Sequence, residues 1–457
     1  MKGFIQTIKN IWSIKELKDK LLVTILLLLV YRFGSHIPLP GVDINEVNRF
    51  VADQENANSG ILGLLNSFTG GSFKRASVFA LGIMPYISAS IVIQLMGLAV
   101  PYIQKLQKEG ESGRNKVNQI TRWLTIGICL VQAPAYLTLV TSQILPYDPT
   151  SSYAIYVIPP TNFWFWFPST VILITGTIFA MWMGEKITDK GIGNGISLII
   201  MIGIIARFPN ALAQEAASRF NAITGGGLVM FIVEILILFA VVCAAIILVQ
   251  GTRKIPVQYA KRLVGNKQYG GARQYIPLKL FAANVMPIIF AQALMFIPLA
   301  LVQYSSENSS WVLHSLMDHT SWLYNVVFAV LIIAFTYFYT AITMNPTQMA
   351  EDMKRNNGFI PGIKPGKSTA DYIDTVMSRI TLPGSLFIAF IAIMPALAGL
   401  LNVQQGFAQF FGGTSLLILV GVVLDTLQQI ESHLLMRHYD GLLNSGRIHG
   451  RAGVSAY

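Results

Sequence analysis

The run Leu228-Val229-Met230-Phe231-Ile232-Val233-Glu234-Ile235-Leu236-Ile237-Leu238-Phe239-Ala240-Val241-Val242-Cys243-Ala244-Ala245-Ile246-Ile247-Leu248-Val249-Gln250 holds one charged residue, Glu234. A bilayer core is about 30 Å thick and a helix rises about 1.5 Å per residue, so about 20 apolar residues cross it. This run is long enough, and in hydrocarbon its backbone can be satisfied only by a helix or a closed barrel. It reads as a spanning helix. Outward from it, nine further runs read the same way, at roughly 21–39, 76–100, 121–141, 160–183, 191–208, 281–302, 323–343, 380–401 and 412–431. Composition agrees: 53% of the 457 residues are hydrophobic and 12% charged, about half the charge of a soluble domain. That is too little charge to cover a soluble surface and too much Leu, Ile, Val and Phe for disorder. The expected fold is an all-α polytopic membrane protein of ten transmembrane helices.

With the N-terminus inside, 27 of the 33 Lys and Arg fall in inside segments, and that asymmetry sets orientation. Both termini are expected to be cytoplasmic, and the net charge of +11 follows from basic inner loops. Lys2, Lys9, Lys15, Lys18 and Lys20 precede the first run, and Arg32, His36, Pro38 and Pro40 follow it in place of a small-residue cleavage site. The first run is therefore expected to be retained. Ten spans divide into halves at about 1–208 and 228–436, and an odd number per half would invert one against the other. In linear order these are a stretch 1–250, a basic loop 251–280, a stretch 281–436 containing a loop 344–379, and a tail 437–457.

Enzyme chemistry is not legible. Cys129 and Cys243 lie in apolar runs without disulfide or metal spacing. Gly366-Lys367-Ser368 resembles the end of a phosphate loop, but the place five before Gly366 holds Pro361 and not Gly. No cofactor is expected. Glu234 is the clearest intramembrane charge, with Arg32 and Asp425 nearer helix ends. No basic partner for Glu234 falls in the interior of another predicted span, and Glu234 reads as a packing or subunit contact ahead of a proton site.

Three segments neither span nor simply connect. Ile61-Leu62-Gly63-Leu64-Leu65-Asn66-Ser67-Phe68-Thr69-Gly70-Gly71-Ser72-Phe73 is apolar, too short to cross, and ends on a helix-breaking Gly pair. It reads as re-entrant or pore-occluding. The loop 251–280 carries Arg253, Lys254, Lys261, Arg262, Lys267, Arg273 and Lys279 and no acid. A projecting hairpin or paired strands are expected there, facing an anionic partner: acidic protein, lipid headgroups or RNA. In 344–379, Gly358-Phe359-Ile360-Pro361-Gly362-Ile363-Lys364-Pro365-Gly366 reads as a stiff turning finger, with Phe359 and Ile360 expected to be exposed anchors.

Taken in order, Tyr31-Arg32-Phe33-Gly34, Ile37-Pro38-Leu39-Pro40-Gly41, Phe68-Thr69-Gly70-Gly71, Ala80 to Ser90, Gly184-Glu185, Gly191-Ile192-Gly193-Asn194-Gly195-Ile196-Ser197, the turn Pro361 to Gly366 and Phe411 to Ile418 resemble the SecY family, channel-forming subunits of the bacterial protein-conducting translocon. The resemblance covers essentially the whole chain. It implies an hourglass pore between two inverted halves of five helices, opening sideways to lipid between the second and seventh helices. It implies a constriction ring of Ile83 and Ile87, Ile196 and Ile200, Ile289 (beside Ile288) and Ile418. The first two pairs are each spaced i, i+4 on one helix face. It also implies a plug that includes Leu62, Leu64, Leu65, Asn66, Phe68, Thr69, Gly70 and Gly71, and a docking surface with Arg253, Lys254, Lys261, Arg262, Phe359, Ile360 and Lys364. Gln94 and Asn284 are the lateral-gate candidates. The implied partners are SecE, SecG, the ATPase SecA, the ribosome with its RNA, unfolded precursors and their signal sequences, and membrane lipid. Lys364 stands where the family usually has Arg. The competing readings are a secondary transporter coupled through Glu234, which lacks midplane polar pairs, and a scaffold without a pore, which leaves 61–73 unexplained.

Overall fold

The computed structural model describes residues 14–53, 69–147, 155–160, 162–220, 227–259, 262–264, 267–269, 273–280, 286–292, 294–295, 315, 321–401 and 403–444. The helices are α1 (Lys15–Gly34), α2 (Ile44–Asp53), α3 (Met84–Ala99), α4 (Pro101–Lys108), α5 (Glu111–Leu139), α6 (Phe163–Lys190), α7 (Gly195–Phe220), α8 (Gly227–Gln250), α9 (Trp322–Thr343), α10 (Pro346–Arg355), α11 (Lys367–Leu400), α12 (Gln405–Ala408) and α13 (Gly413–Asn444). The strands are β1 (Thr252–Tyr259), β2 (Arg262–Val264), β3 (Lys267–Tyr269), β4 (Arg273–Lys279) and β5 (Gly358–Phe359). Among the described residues, 7 helices are long and apolar enough to cross a membrane. The shorter α1 and α3 occupy two more of the expected spans, and of the span 281–302 the helical stretch 286–292 is described.

The chain divides into two compact units. One holds the described residues through 207 and those from 422 onward, and the other holds 208–421.

In the first unit, two expected spans are shorter than apolar length suggested. Helix α1 stops at Gly34, and residues 76–83 are turns, α3 starting only at Met84. Pro38 and Pro40 disfavour further helix, while Ala76 and Gly82 hold φ of 47° and 54°. The two irregular stretches satisfy each other. Leu39 N–H donates to Ala76 O at 2.8 Å, Val78 N–H donates to Ile37 O at 2.9 Å, and Pro38 bridges to Ser77. Irregular backbone at membrane depth needs this kind of internal pairing. Residues 41–43 pair in turn with 155–157, through Asp43 N–H to Ile155 O and Val157 N–H to Gly41 O, both 2.9 Å. Burial raises the pKa of the Tyr156 hydroxyl, which donates to Leu145 O at 2.7 Å.

Helices α6 and α7 meet at a close crossing of glycines. A Cβ on Gly195 would lie 2.0 Å from Gly184 O and 2.7 Å from Ile187 Cβ. Backbone cannot yield to a methyl there, so Gly195→Ala is expected to exceed the ~1–3 kcal/mol of ordinary overpacking. The check is the thermal midpoint of the purified chain in detergent, and a midpoint equal to that of the parent would refute the close crossing.

In the second unit the loops 251–280 and 344–379 share a sheet of order β4-β1-β5. β1 pairs antiparallel with β4 from Thr252↔Lys279 to Gln258↔Arg273, and with β5 at Gln258↔Phe359. Ile255, Val257 and Leu278 face inward onto Met353, Ile360, Ile373 and Met377. β2 and β3 form a separate hairpin, as expected for the basic loop. At the start of α10, the Asn345 side chain accepts from Gln348 N–H and Pro346 takes the first helical position, the residue types such starts favour.

Candidate functional site

Of the six ring candidates, four belong to the first unit. Ile83 is the N-cap of α3, and Ile87 N–H donates to its carbonyl at 3.0 Å, so the i, i+4 relation survives at the helix start. Ile83 and Ile200 are buried, Ile87 and Ile196 half-buried. The start of α7, which carries Ile196, is pinned by polar side chains. Ile192 N–H donates to Thr24 Oγ1 at 3.1 Å, Gly193 N–H to Gln429 Oε1 at 2.8 Å and Gly195 N–H to Thr188 Oγ1 at 2.9 Å. Asn194 Oδ1 accepts from Ile196 N–H at 3.2 Å. The glycines of this loop let backbone come that close. Thr24, Thr188 and Gln429 were not singled out from the sequence, where a polar residue in an apolar run carries no sign of its partner. In the second unit Ile418 is buried, Ile289 half-buried and its neighbour Ile288 fully buried.

Leu62, Leu64, Leu65, Asn66 and Phe68 lie outside the described residues, while Thr69, Gly70 and Gly71 form a tight turn. Gly70 and Gly71 hold φ of 65° and 94°. Thr69 Oγ1 accepts from Phe73 N–H at 3.2 Å, and Tyr136 Oη donates to Phe73 O at 2.7 Å. The lateral-gate candidate Gln94 is half-buried on α3 and donates to Ser90 Oγ at 3.4 Å. Asn284 lies outside the described residues, as does Lys261, and Arg262 stands on β2.

The expected docking finger is corrected in one respect. Ile360 is 3% exposed and packs in the core beneath the sheet, and Phe359 is half-buried. They are not free anchors, because β5 pairs with β1 and turns Ile360 under it. Arg253, Lys254 and Lys364 are exposed. The surface these loops present carries Arg253, Lys254 and Lys364, while Ile255, Val257, Leu278 and Ile360 are turned inward.

Glu234 is also corrected. It has a basic partner, because α7 continues through Pro209 to Phe220 and does not end near 208. Arg219 Nε donates to Glu215 Oε1 at 2.8 Å and Arg219 Nη2 to Glu234 Oε1 at 2.5 Å. Gln404 N–H donates to Glu215 Oε2 at 2.8 Å. The three side chains are 0–2% exposed, so the triad ties α7 to α8 and to the segment entering α12. Beside it, Phe407, Phe411 and Val403 pack on Ala211 and Ala398.

The SecY family model matches residues 77–427. Protein translocase subunit SecY of Streptomyces scabiei is 42% identical over 432 residues, covering 94% of this chain and 97% of that one. The subunit of Corynebacterium glutamicum is 40% identical over 455 residues, covering 97% and 100%. Among solved structures, one described as the structure of a protein conducting channel aligns with TM-score 0.62 at 18% identity, covering 91% of this chain and 92% of that one. Another, SecY with a plug domain said to stabilise the closed state and maintain a membrane seal, gives 0.59 at 19% identity, with the same coverage. Sec61 in the canine ribosome–channel complex gives 0.59 at 18%, again covering 91% and 92%. On the family model and the near-full-length relatives, the chain belongs to the SecY family.

Proposed function

We propose that the chain forms the conduit through which unfolded polypeptides cross the cytoplasmic membrane, and from which transmembrane segments leave sideways into lipid. The near-full-length family match, with the ring isoleucines at their motif positions, carries this reading. Ile83, Ile87, Ile196, Ile200, Ile289 and Ile418 form an apolar waist that stays dry at rest and gates by dewetting. Flexible aliphatic side chains close around any sequence, whereas fixed polar ligands would select and retain one. Sideways exit is partition: Leu, Ile, Phe and Val each favour the bilayer centre by about 0.3–0.6 kcal/mol, so ten of them supply roughly 3–6 kcal/mol. A signal sequence leaves and a polar chain does not. The segment 61–73 is the plug. The chain lies in the inner membrane of a bacterium with both termini cytoplasmic, where SecE and SecG accompany it.

Energy comes from partners. The ribosome docks on the loops 251–280 and 344–379, as the canine relative bound to a ribosome supports, and SecA uses the same face. Their basic side chains suit ribosomal RNA and acidic protein alike. The triad occupies Glu234, which leaves a proton-coupled transporter without its coupling residue.

The test is reconstitution of the chain with SecE in lipid vesicles, adding SecA, ATP and an unfolded precursor. Protease-protected precursor is expected, and its absence from active preparations overturns the reading. Lys364→Glu reverses an exposed charge at the docking turn. It is expected to cut protected precursor several-fold with the amount of chain in the membrane unchanged, and export at the parent rate would remove Lys364 from the docking surface.

A further inference from the structure

The turn between α6 and α7 hands its backbone N–H groups to side chains on three different helices. Ile192 N–H donates to Thr24 Oγ1 on α1 at 3.1 Å, Gly193 N–H to Gln429 Oε1 on α13 at 2.8 Å and Gly195 N–H to Thr188 Oγ1 on α6 at 2.9 Å. Thr188 belongs to the helix that enters the turn, so its bond closes the turn on itself. Gln429 is exposed, and water can replace its amide oxygen. Thr24 differs from both. It is 6% exposed and Ile192 4%, so neither end of their bond has water as a substitute. The Thr24 hydroxyl also donates to Lys20 O at 2.9 Å, serving as donor and acceptor at once. The approach is close: a Cβ on Gly191 would lie 2.4 Å from Thr24 Oγ1. Interlocking side chains normally fix how two helices sit along their axes. The glycine crossing of α6 and α7 sets how near they lie but has no side chains to fix their height, and the hydrogen bonds of the turn do so instead. Helix α7 runs unbroken from Gly195, so a shift of the turn is carried to Ile196 and Ile200.

We propose that Thr24 is a positioning residue for the waist: by holding Ile192 N–H, its hydroxyl on α1 sets the height of α7 and so the place of Ile196 and Ile200. The proposal rests on reading those two isoleucines as part of the waist. Valine in place of threonine keeps the shape and loses the hydroxyl, which leaves a buried N–H without a partner. Serine keeps the hydroxyl and loses only a methyl group, so it holds the turn.

The experiment places Ile200→Cys in the parent chain, in Thr24→Val and in Thr24→Ser, each reconstituted with SecE in vesicles. It reads labelling of the introduced thiol by a water-soluble maleimide, corrected for Cys129 and Cys243 in chains with Ile200 intact, and the thermal midpoint. Ion leak without precursor is read in the Thr24 variants with Ile200 intact and in Ile200→Asn. Thr24→Val is expected to label and to leak roughly tenfold faster than the parent, with Thr24→Ser within about twofold of it. The midpoint of either variant is expected to fall by no more than about 4 °C. Labelling of Thr24→Val at the parent rate overturns the proposal, whatever the leak. Faster labelling with a tight membrane, in Thr24→Val and Ile200→Asn alike, overturns the waist reading and leaves Thr24 as the residue that positions α7. Labelling that rises equally in Thr24→Ser, or rises only as the midpoint collapses, makes Thr24 structural and overturns the proposal.

Discussion

Replacing Arg219 by methionine is expected to destabilise the unit of residues 208–421 by about 3–5 kcal/mol, the cost of stripping one partner from a buried ion pair. For a unit of this size that is a fall of roughly 6–20 °C in thermal midpoint. Glu215 and Glu234 would be left as two buried carboxylates with no cation between them, since Arg219 bonds both. Volume lost at residue 219 is not the cause, because methionine fills most of it. The triple replacement Glu215→Gln, Arg219→Met and Glu234→Gln distinguishes the two causes. It removes all three charges and leaves an amide oxygen for Gln404 N–H, so it is expected to recover most of the loss, as buried ion triads replaced by neutral side chains of similar volume often do. A single variant as stable as the parent, or a triple variant worse than the single, would refute the electrostatic account.

Asparagine at Ile200 or at Ile418 is expected to raise the resting ion leak of reconstituted channels by tenfold or more. Both side chains are buried and both are assigned to the waist. An amide differs from an aliphatic side chain by roughly 2–7 kcal/mol in its preference for water, and each 1.4 kcal/mol is a factor of ten in the population of a wetted constriction. Valine at the same positions changes volume and not polarity, and is expected to alter leak less than twofold. The measurement is dye or ion release from sealed vesicles without precursor. Asparagine variants as tight as their valine counterparts would mean that these residues are ordinary core and that water is excluded elsewhere.

Several parts of this molecule could be read residue by residue. The run 228–250 became α8 almost to the residue, because helix length there is set by bilayer thickness and apolar content, which add up locally. Paired strands in 251–280 were expected from its length and a Gly270-Gly271 tip, but the β2–β3 hairpin reverses between Val264 and Lys267. Other parts were misread where a partner decides. Apolar content carried the second span back to 76, but that stretch is turned and paired to 37–39, a choice made by Pro38, Pro40 and the chain lying alongside. Ile360 was read as exposed because Pro and Gly surround it, whereas strand pairing 100 residues away at Gln258 folds it under the sheet. Glu234 was read as lacking a cation because the preceding span was expected to end near 208, short of Arg219, whereas α7 runs on to Phe220.

The amino-acid pattern alone determined that the chain crosses a membrane many times, that its basic residues gather in a few connecting segments, and where glycine and proline interrupt helix. These are properties of short windows: hydropathy, charge and backbone freedom need no neighbour. Only the tertiary structure decided which polar groups meet. Thr24 reaches Ile192, Gln429 reaches Gly193, Arg219 reaches Glu234 and Arg32 reaches Gly70. A lone polar side chain in an apolar helix is costly until partnered, and its partner is whichever element packs against it, a fact no local pattern contains.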